Sequence, residues 1–363
     1  MLKSALSFLK CVDCNNTSLL CKDFEMDSKG NVKAGMLLCN KCDSCFPIYD
    51  GIPIIISNTV IKLFLSDAIV KFCSKNKICF NGSYTYDKDT EIVRNGASNW
   101  GFQWGNSNEN FNDTNVYYLS ENFFLNTIHI NKEEYKDKNV LVLGTGFGKE
   151  IAHLSQYLCK NIFAMDISFS IYIAKQRYVS FPHVHFVMAD IMKPPFIAQF
   201  DIVIADHVLQ HLPAMQKGTD EALALVRNDG IFAATYYSYE NNFIMHAIVE
   251  PFKKIYSRLV PIKILFYLSI IPAAACFFLV KVYKLLNKIN PRFLIRLPLS
   301  DHFLCWSKLP FVWLWKITIF DLLQAPLSKY CTKKDIETMF LKYRNLQIKS
   351  HVGTLWCVRV IKD

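Results

Sequence analysis

The run VLVLGTGFGKE places Gly144, Gly146 and Gly148 directly after a short apolar stretch and directly before a helical one. Glycines spaced this way let a chain turn sharply and let its backbone approach a ligand closely. Asp166 stands twenty-two residues after Gly144, near the ~20-residue offset of an acid that holds ribose hydroxyls. Asp190 ends the next apolar stretch, in position to meet a base. The implied chemistry is capture of a nucleoside-containing cofactor. A plain tight turn explains each glycine singly, but not the turn together with both acids. The turn lacks the G-x-G-x-x-G form that seats a pyrophosphate on a helix N-terminus. S-adenosylmethionine (SAM), which carries no phosphate, suits it better than NAD.

A second chemical signal lies near the N-terminus. Cys11 and Cys14 form one knuckle, Cys39 and Cys42 another, with twenty-four residues between them. A two-residue gap lets both thiolates of a knuckle face one ion, and two knuckles complete a closed tetrahedral zinc site with no position left for water. Such a site is structural or a docking module. Cys21 and Cys45 stand nearby as decoys, and a ribbon held without metal is the alternative. No export signal precedes the thirteen cysteines, so a reducing, cytoplasmic setting and metal rather than disulfides are expected. His207 and His211 follow the stretch that ends at Asp206 and are the candidate bases. Packing is the competing role for His211.

These residues need elements to hold them. NVLVLG, NIFAMD, HVHFVMAD, DIVIAD and GIFAATYY read as strands separated by helical runs, the pattern of βαβ units and a parallel sheet. Asn228-Asp229-Gly230 reads as the stop of a helix running from about Met215 to Arg227. LQIKSH and TLWCVRVIK alternate around His351-Val352-Gly353, giving an antiparallel pair at the end of the sheet. Tyr236 and Tyr237 end the fifth strand and are expected to shape an acceptor site.

The motifs resemble those of class I SAM-dependent methyltransferases. LVLGTGFGKE is similar to their first motif, with Thr145 where Cys is usual, and FAMDIS to their second. VMADIMKPPF, FDIVIADHVLQHL and NDGIFAATYY are similar to the later ones, with Asn228-Asp229 in place of Pro-Gly. The resemblance covers residues 136–238. It implies that Gly144, Thr145, Gly146 and Gly148 line the methionine part of SAM, that Asp166 and Ile167 meet the ribose, and that Asp190 and Ile191 hold the adenine. Asp206 belongs to the same cofactor edge. FPIYDGIPIII (46–56) resembles the end of the zinc ribbon of small tRNA-methyltransferase activator proteins. SNWGFQWGN (98–106) resembles a segment that lies between a zinc ribbon and a SAM domain in one bacterial methyltransferase group and precedes a helical lid, with Arg94 as the related basic residue. A pair of core aromatics is the other reading of its two tryptophans.

The expected fold is α/β: a Rossmann-like seven-stranded methyltransferase sheet with an antiparallel C-terminal strand. The expected divisions are a zinc ribbon (1–60), a helical linker or lid (61–135), the SAM-binding core (136–238), an apolar helical insertion (239–325) and the end of the core (326–363). In the insertion, Ile264 to Val280 holds seventeen residues without a charge, flanked by Lys253, Lys254, Lys281, Lys284 and Lys288. The chain must return to its sheet, so a single membrane crossing is excluded, and a helical cap or peripheral membrane contact is expected instead.

Hydrophobic residues at 52% and charged residues at 20% of 363 exclude a disordered chain, and the net charge of +10 favours anionic neighbours. The expected function is transfer of a methyl group from SAM to a small-molecule, lipid or glycan acceptor, by O-methylation. RNA methylation, or a non-catalytic scaffold that docks proteins through its ribbon, are the alternatives. Nucleic acid is disfavoured because ADHV stands where enzymes acting on base amines carry Asn-Pro-Pro-aromatic.

Overall fold

The computed structural model describes residues 3–363 except 84, 107–116, 198, 244, 295, 296, 298 and 344. The segment after the tryptophan motif, 107–116, and the side chain of Lys254 thus lie outside the described residues. The strands are β1 (Leu19–Met26), β2 (Val32–Cys39), β3 (Cys45–Tyr49), β4 (Ile52–Ile55), β5 (Asn139–Leu143), β6 (Asn161–Asp166), β7 (Val184–Ala189), β8 (Phe200–Ala205), β9 (Val226–Ser238), β10 (Tyr330–Cys331), β11 (Gln347–His351) and β12 (Leu355–Ile361).

The parallel core strands run in the order β7-β6-β5-β8-β9, and β12 then pairs antiparallel with both β9 and β11. The strands are continuous apolar runs because helices cover both faces of such a sheet. Val140 to Leu143, Ile162 to Met165 and Ile202 to Ala205 are buried almost completely. The fold is therefore mixed α/β around a large sheet.

The sheet extends beyond the seven strands expected. β4 pairs parallel with β7, Ile54 opposite Met188 and Ile55 opposite Ala189, so the ribbon's antiparallel strands β1 to β4 continue the core sheet into one of twelve strands. An edge strand exposes unpaired backbone groups, and β4 covers the edge that β7 would present. The ribbon is aimed there by the Asp50-Gly51 turn between β3 and β4, where φ values of 46° and 71° match the two-residue hairpin turn that Asp-Gly favours. A second tie is Asp13, whose carboxylate accepts hydrogen bonds from Ser44 Oγ, Ser57 Oγ and the Asn58 backbone N–H.

Asn228-Asp229-Gly230 does not stop a helix. The helix Met215–Ala224 ends earlier, and the tripeptide lies within β9 as a bulge, between Val226 opposite Phe200 and Ile231 opposite Ile202. Asp229 takes φ 59° there and its N–H donates to the Lys362 carbonyl. A bulge and a helix stop use the same residue types, because both need a left-handed residue.

Between β9 and β10 the chain is helical: Glu250–Leu259, Ile262–Leu268, Ile270–Ile289, Ser300–Trp306 and Phe320–Gln324, with π-helical turns at Met245–Val249 and Leu314–Ile319. Phe266 anchors this layer, its ring 5.0 Å from both Trp315 and Phe320. The helix Lys88–Gly105 joins the layer to the core through Gln103, which is fully buried, donates to the Lys316 carbonyl and accepts from Gln324 Nε2.

Candidate active site

At the carboxyl ends of β5, β6, β7 and β8, the edge where open α/β sheets bind ligands, lies a cavity with about 1120 Å³ of empty space, mouth included. Gly144, Thr145, Gly146, Asp166, Ile167, Asp190, Ile191, Asp206, His207 and His211 all line it. Gly144 has φ 68°, and a Cβ there would stand 2.5 Å from Val208 Cγ2, so no other residue fits. Gly148 does not line the cavity. It stands behind it at the start of the helix Lys149–Leu154, where a Cβ would stand 2.7 Å from the Tyr178 ring. Its need for glycine comes from its φ of 90° and from this helix packing.

Asp166 accepts from the Gly146 N–H at 2.8 Å and from both N–H and Oγ of Ser168 at 2.7 Å, and so braces the glycine turn. Asp190 accepts from the Met192 N–H through Oδ1. Burial raises both carboxyls. The Thr145 hydroxyl is buried without a hydrogen-bond partner. An orphaned hydroxyl, a glycine wall and two acids at successive strand ends fit a nucleoside cofactor such as SAM.

Beneath this wall lies a charge cluster around Asp206 and His207, whose other members, Lys149, Glu150 and Thr235, sequence reading missed. Lys149 Nζ is buried 2.7 Å from Asp206 Oδ2 and 3.5 Å from Glu150, and it lies 4.4 Å from the centre of the Tyr118 ring. Asp206 Oδ1 accepts from His207 Nδ1 at 2.6 Å and from Thr235 Oγ1 at 2.8 Å. Burial pushes the Asp206 carboxyl up, but His207 and Lys149 outweigh it and hold it well below the usual carboxylate range. Burial likewise opposes the Lys149 ammonium, and Asp206 outweighs that burial. Lys149 directly follows the third glycine, and that position on the first turn of a helix facing the strand ends was the available signal.

His207 is a non-glycine residue at φ 56°, a conformation that costs of order 1 kcal/mol and persists where surroundings enforce it. Here its N–H donates to Thr235 Oγ1 at 2.7 Å while its ring is tied to Asp206. With Nδ1–H given to the carboxylate, Nε2 is the proton-accepting atom. His211 differs. Its Nδ1 donates to the Leu327 carbonyl at 2.7 Å, its ring meets Trp100 edge-on, and burial pushes it down to about 3. That is a packing position.

A second cavity, with about 910 Å³ of empty space, adjoins the first. Tyr118, His207, Ile317 and Asp321 line both. Its other walls come largely from the insertion and strand ends and include the rings of Tyr237, His302, Trp306 and Tyr330. Tyr236 is not among them. It points to the opposite face of β9, fully buried, with its hydroxyl 3.0 Å from Thr219 Oγ1, as strand alternation requires of neighbours. Asp321, also missed, accepts from Trp100 Nε1 at 3.2 Å, and burial raises its carboxyl. Trp100 and Trp104 line the first cavity, so the tryptophan helix both roofs the cofactor edge and packs into the core, whereas Arg94 is exposed on its far side.

At the ribbon, the sulfurs of Cys11, Cys14, Cys39 and Cys42 lie within 4.8 Å of one another. Cys11 and Cys42 are 3.6 Å apart, Cys14 and Cys39 3.5 Å. A tetrahedron with Zn–S bonds of ~2.3 Å has edges of about 3.8 Å, so this donor set fits zinc, and the distances exclude disulfides. Cys21 and Cys45 stand outside the group.

Residues 141–234 match the methyltransferase domain family. This part of the chain is a methyltransferase domain. No curated protein matches the sequence. Among solved structures, the [4+2]-cyclase SpnF shares 19% identity over 32% of this chain, with a TM-score of 0.29. A complex of the Haloferax volcanii Trm112 methyltransferase activator with a methyltransferase shares 16% over 40% (TM-score 0.34). PKMT2 from Rickettsia typhi in complex with AdoHcy shares 12% over 68% (TM-score 0.43). The chain spans 43%, 66% and 53% of those three chains.

Proposed function

We propose that this protein binds SAM in the first cavity and methylates a hydroxyl of a small-molecule, lipid or glycan acceptor seated in the second, with His207 taking the hydroxyl proton. One observation carries the reading: His207, its ring oriented by Asp206, stands in the wall shared by the two cavities. SAM supplies an electrophilic methyl group, already activated as a sulfonium. The chain's part is to hold the acceptor in line, exclude water and accept a proton at His207 Nε2. Asp206, Lys149 and Thr235 are positioning residues for that atom. Asp166 and Asp190 hold the ribose and adenine.

The ribbon, closed by zinc on its four cysteines, has a structural role in this reading, because its β4 edge is already paired to β7 and is not free to dock another protein. We infer a cytoplasmic setting for the protein, where a thiolate metal site of four reduced cysteines persists.

The test is transfer of labelled methyl from SAM into lipid, glycan and RNA fractions. Label is expected in lipid or glycan as a base-stable methyl ether. His207→Gln should retain SAM binding and lose about 10²- to 10⁴-fold in rate. Label confined to RNA, or full activity in His207→Gln, overturns the reading.

A further inference from the structure

The charge of the molecule is concentrated in its insertion. From Pro251 to Ser300 there are nine lysines and arginines and no aspartate or glutamate, while the rest of the chain has thirty-two basic and thirty-one acidic residues. The net charge of +10 is therefore almost wholly local.

The same segment exposes an apolar line. Ile262–Ile289 is a helical run of 28 residues, long and apolar enough to cross a membrane, yet only 28% of its most apolar stretch is buried. Ile264, Leu268, Ile271, Phe278, Leu285 and Ile289 are each 50% to 70% exposed. Their spacing of three, four or seven sets them along one face. Lys263, Lys281, Lys284 and Lys288 are exposed too, and at 3.6 residues per turn they fall together on one flank of that line. Their stems can lie along an apolar surface while the ammonium groups reach polar ones.

The opposite face of this run is engaged. Leu265, Phe266, Ala273 and Val280 are buried, and Tyr283 packs 4.8 Å from Phe303. The helix Ser300–Trp306 that it packs against carries His302 and Trp306 into the wall of the second cavity. One layer of helices thus has the proposed acceptor site on its inner side and the apolar line on its outer side.

A helix packed along one face, in a chain that returns to pair β10 with β9, does not cross a bilayer alone. A second copy of the chain would bring two lysine flanks together with no acid in either segment. An RNA would meet the charges but would leave the aliphatic line in water. An anionic lipid surface meets both, with phosphates for the lysines and acyl chains for the line.

We propose that this face seats the protein in the plane of an anionic bilayer, and that the methyl acceptor is an amphiphile drawn from that bilayer into the second cavity. The acceptor half rests on the function proposed above. The docking half does not.

The full-length protein is mixed with phosphatidylcholine vesicles with and without phosphatidylglycerol, and binding is read by flotation. Binding is expected only with phosphatidylglycerol, with release at 1 M salt, where the screening length falls to about 3 Å. Each lysine near such a surface is worth about a factor of five, so the triple change Lys281→Glu, Lys284→Glu and Lys288→Glu should weaken binding by about 100-fold or more. Ile271→Ser with Phe278→Ser should also weaken it. Both variants should still bind SAM, which shows that they fold. Absence of vesicle binding, retention through high salt and alkaline wash, undiminished binding by the serine variant, or a stable dimer that this variant dissolves would each overturn the docking proposal. Methyl transfer into the lipid fraction should rise with phosphatidylglycerol vesicles and fall in both variants. Transfer to a water-soluble acceptor that vesicles leave unchanged overturns the acceptor half. Loss of all transfer with vesicle binding intact counts against the proposed function and leaves docking standing.

Discussion

Asp206→Asn tests the centre of the site while changing almost no volume. The carboxylate is 1% exposed and takes three donors on two oxygens: Lys149 at 2.7 Å, His207 at 2.6 Å and Thr235 at 2.8 Å. An amide can turn its oxygen to only one side. Facing Lys149 with its NH₂ group, it leaves the buried ammonium to Glu150, 3.5 Å away, and to the face of the Tyr118 ring, 4.4 Å away. Breaking a buried pair costs about 3–5 kcal/mol, and the remaining carboxylate places the loss near the lower end, about 3 kcal/mol. Facing His207 with its NH₂ group, it drives the ring proton from Nδ1 to Nε2 and removes the acceptor atom, at a cost of about 10²- to 10⁴-fold in rate. Chemical denaturation reads the first orientation and single-turnover methyl transfer the second, and at least one of the two losses is expected. His207→Gln should match the rate loss with little change in stability, because that side chain is 21% exposed. The double variant should be no slower than either single one, as expected of residues that act as a unit. Rate losses that multiply in the double variant, or an Asp206→Asn protein that loses neither about 3 kcal/mol of stability nor about 10²-fold in rate, would refute the reasoning.

Asp166→Ala should weaken SAM binding by about 1.5–3 kcal/mol, the worth of a charge-assisted hydrogen bond. Calorimetry checks this, and unchanged affinity excludes a ribose contact. Purified protein should hold one zinc per chain by metal analysis. Cys21→Ser and Cys45→Ser should keep it and Cys39→Ser should lose it, the reverse pattern showing that other sulfurs bind the ion. Burial pushes His185 and His302 each down to about 4. Their unfolded values lie near 6.5, so the unfolded chain takes up protons first as pH falls. Stability is unaffected above pH 6.5 and is lost between about 6.5 and 4, by about 3 kcal/mol per histidine when complete. Denaturation midpoints at pH 7 and pH 5 should show the fall, and His185→Gln should make it shallower. An unchanged slope in that variant would assign the acid sensitivity elsewhere.

The parts of this protein legible in its sequence are those set by local backbone geometry. A glycine turn after a strand, an acid at a strand end and two sulfurs three positions apart each depend on residues within one or two turns of chain. That is why Gly144, Gly146, Asp166, Asp190 and the four cysteines are where their spacing puts them. Helical character in the insertion was legible for the same reason. Tertiary structure decided what depends on pairing between distant segments. No local signal says that β4 adds to β7 across more than a hundred residues, because an edge strand takes any extended partner whose register suits it. Lys149 and Asp206 are fifty-seven residues apart and meet only because β5 and β8 are neighbours. Alternation along β9 gave Tyr237 to the second cavity and Tyr236 to the core, a choice that the strand's register makes and its composition does not. Asp321 is one of only two acids between Pro251 and Gln324, yet its importance comes from the fold, which sets that carboxyl between two cavities. The charge of the insertion could be counted from sequence. Which face of its longest helix meets solvent is a property of the packed molecule, because an apolar helix buries whichever stripe its neighbours can cover.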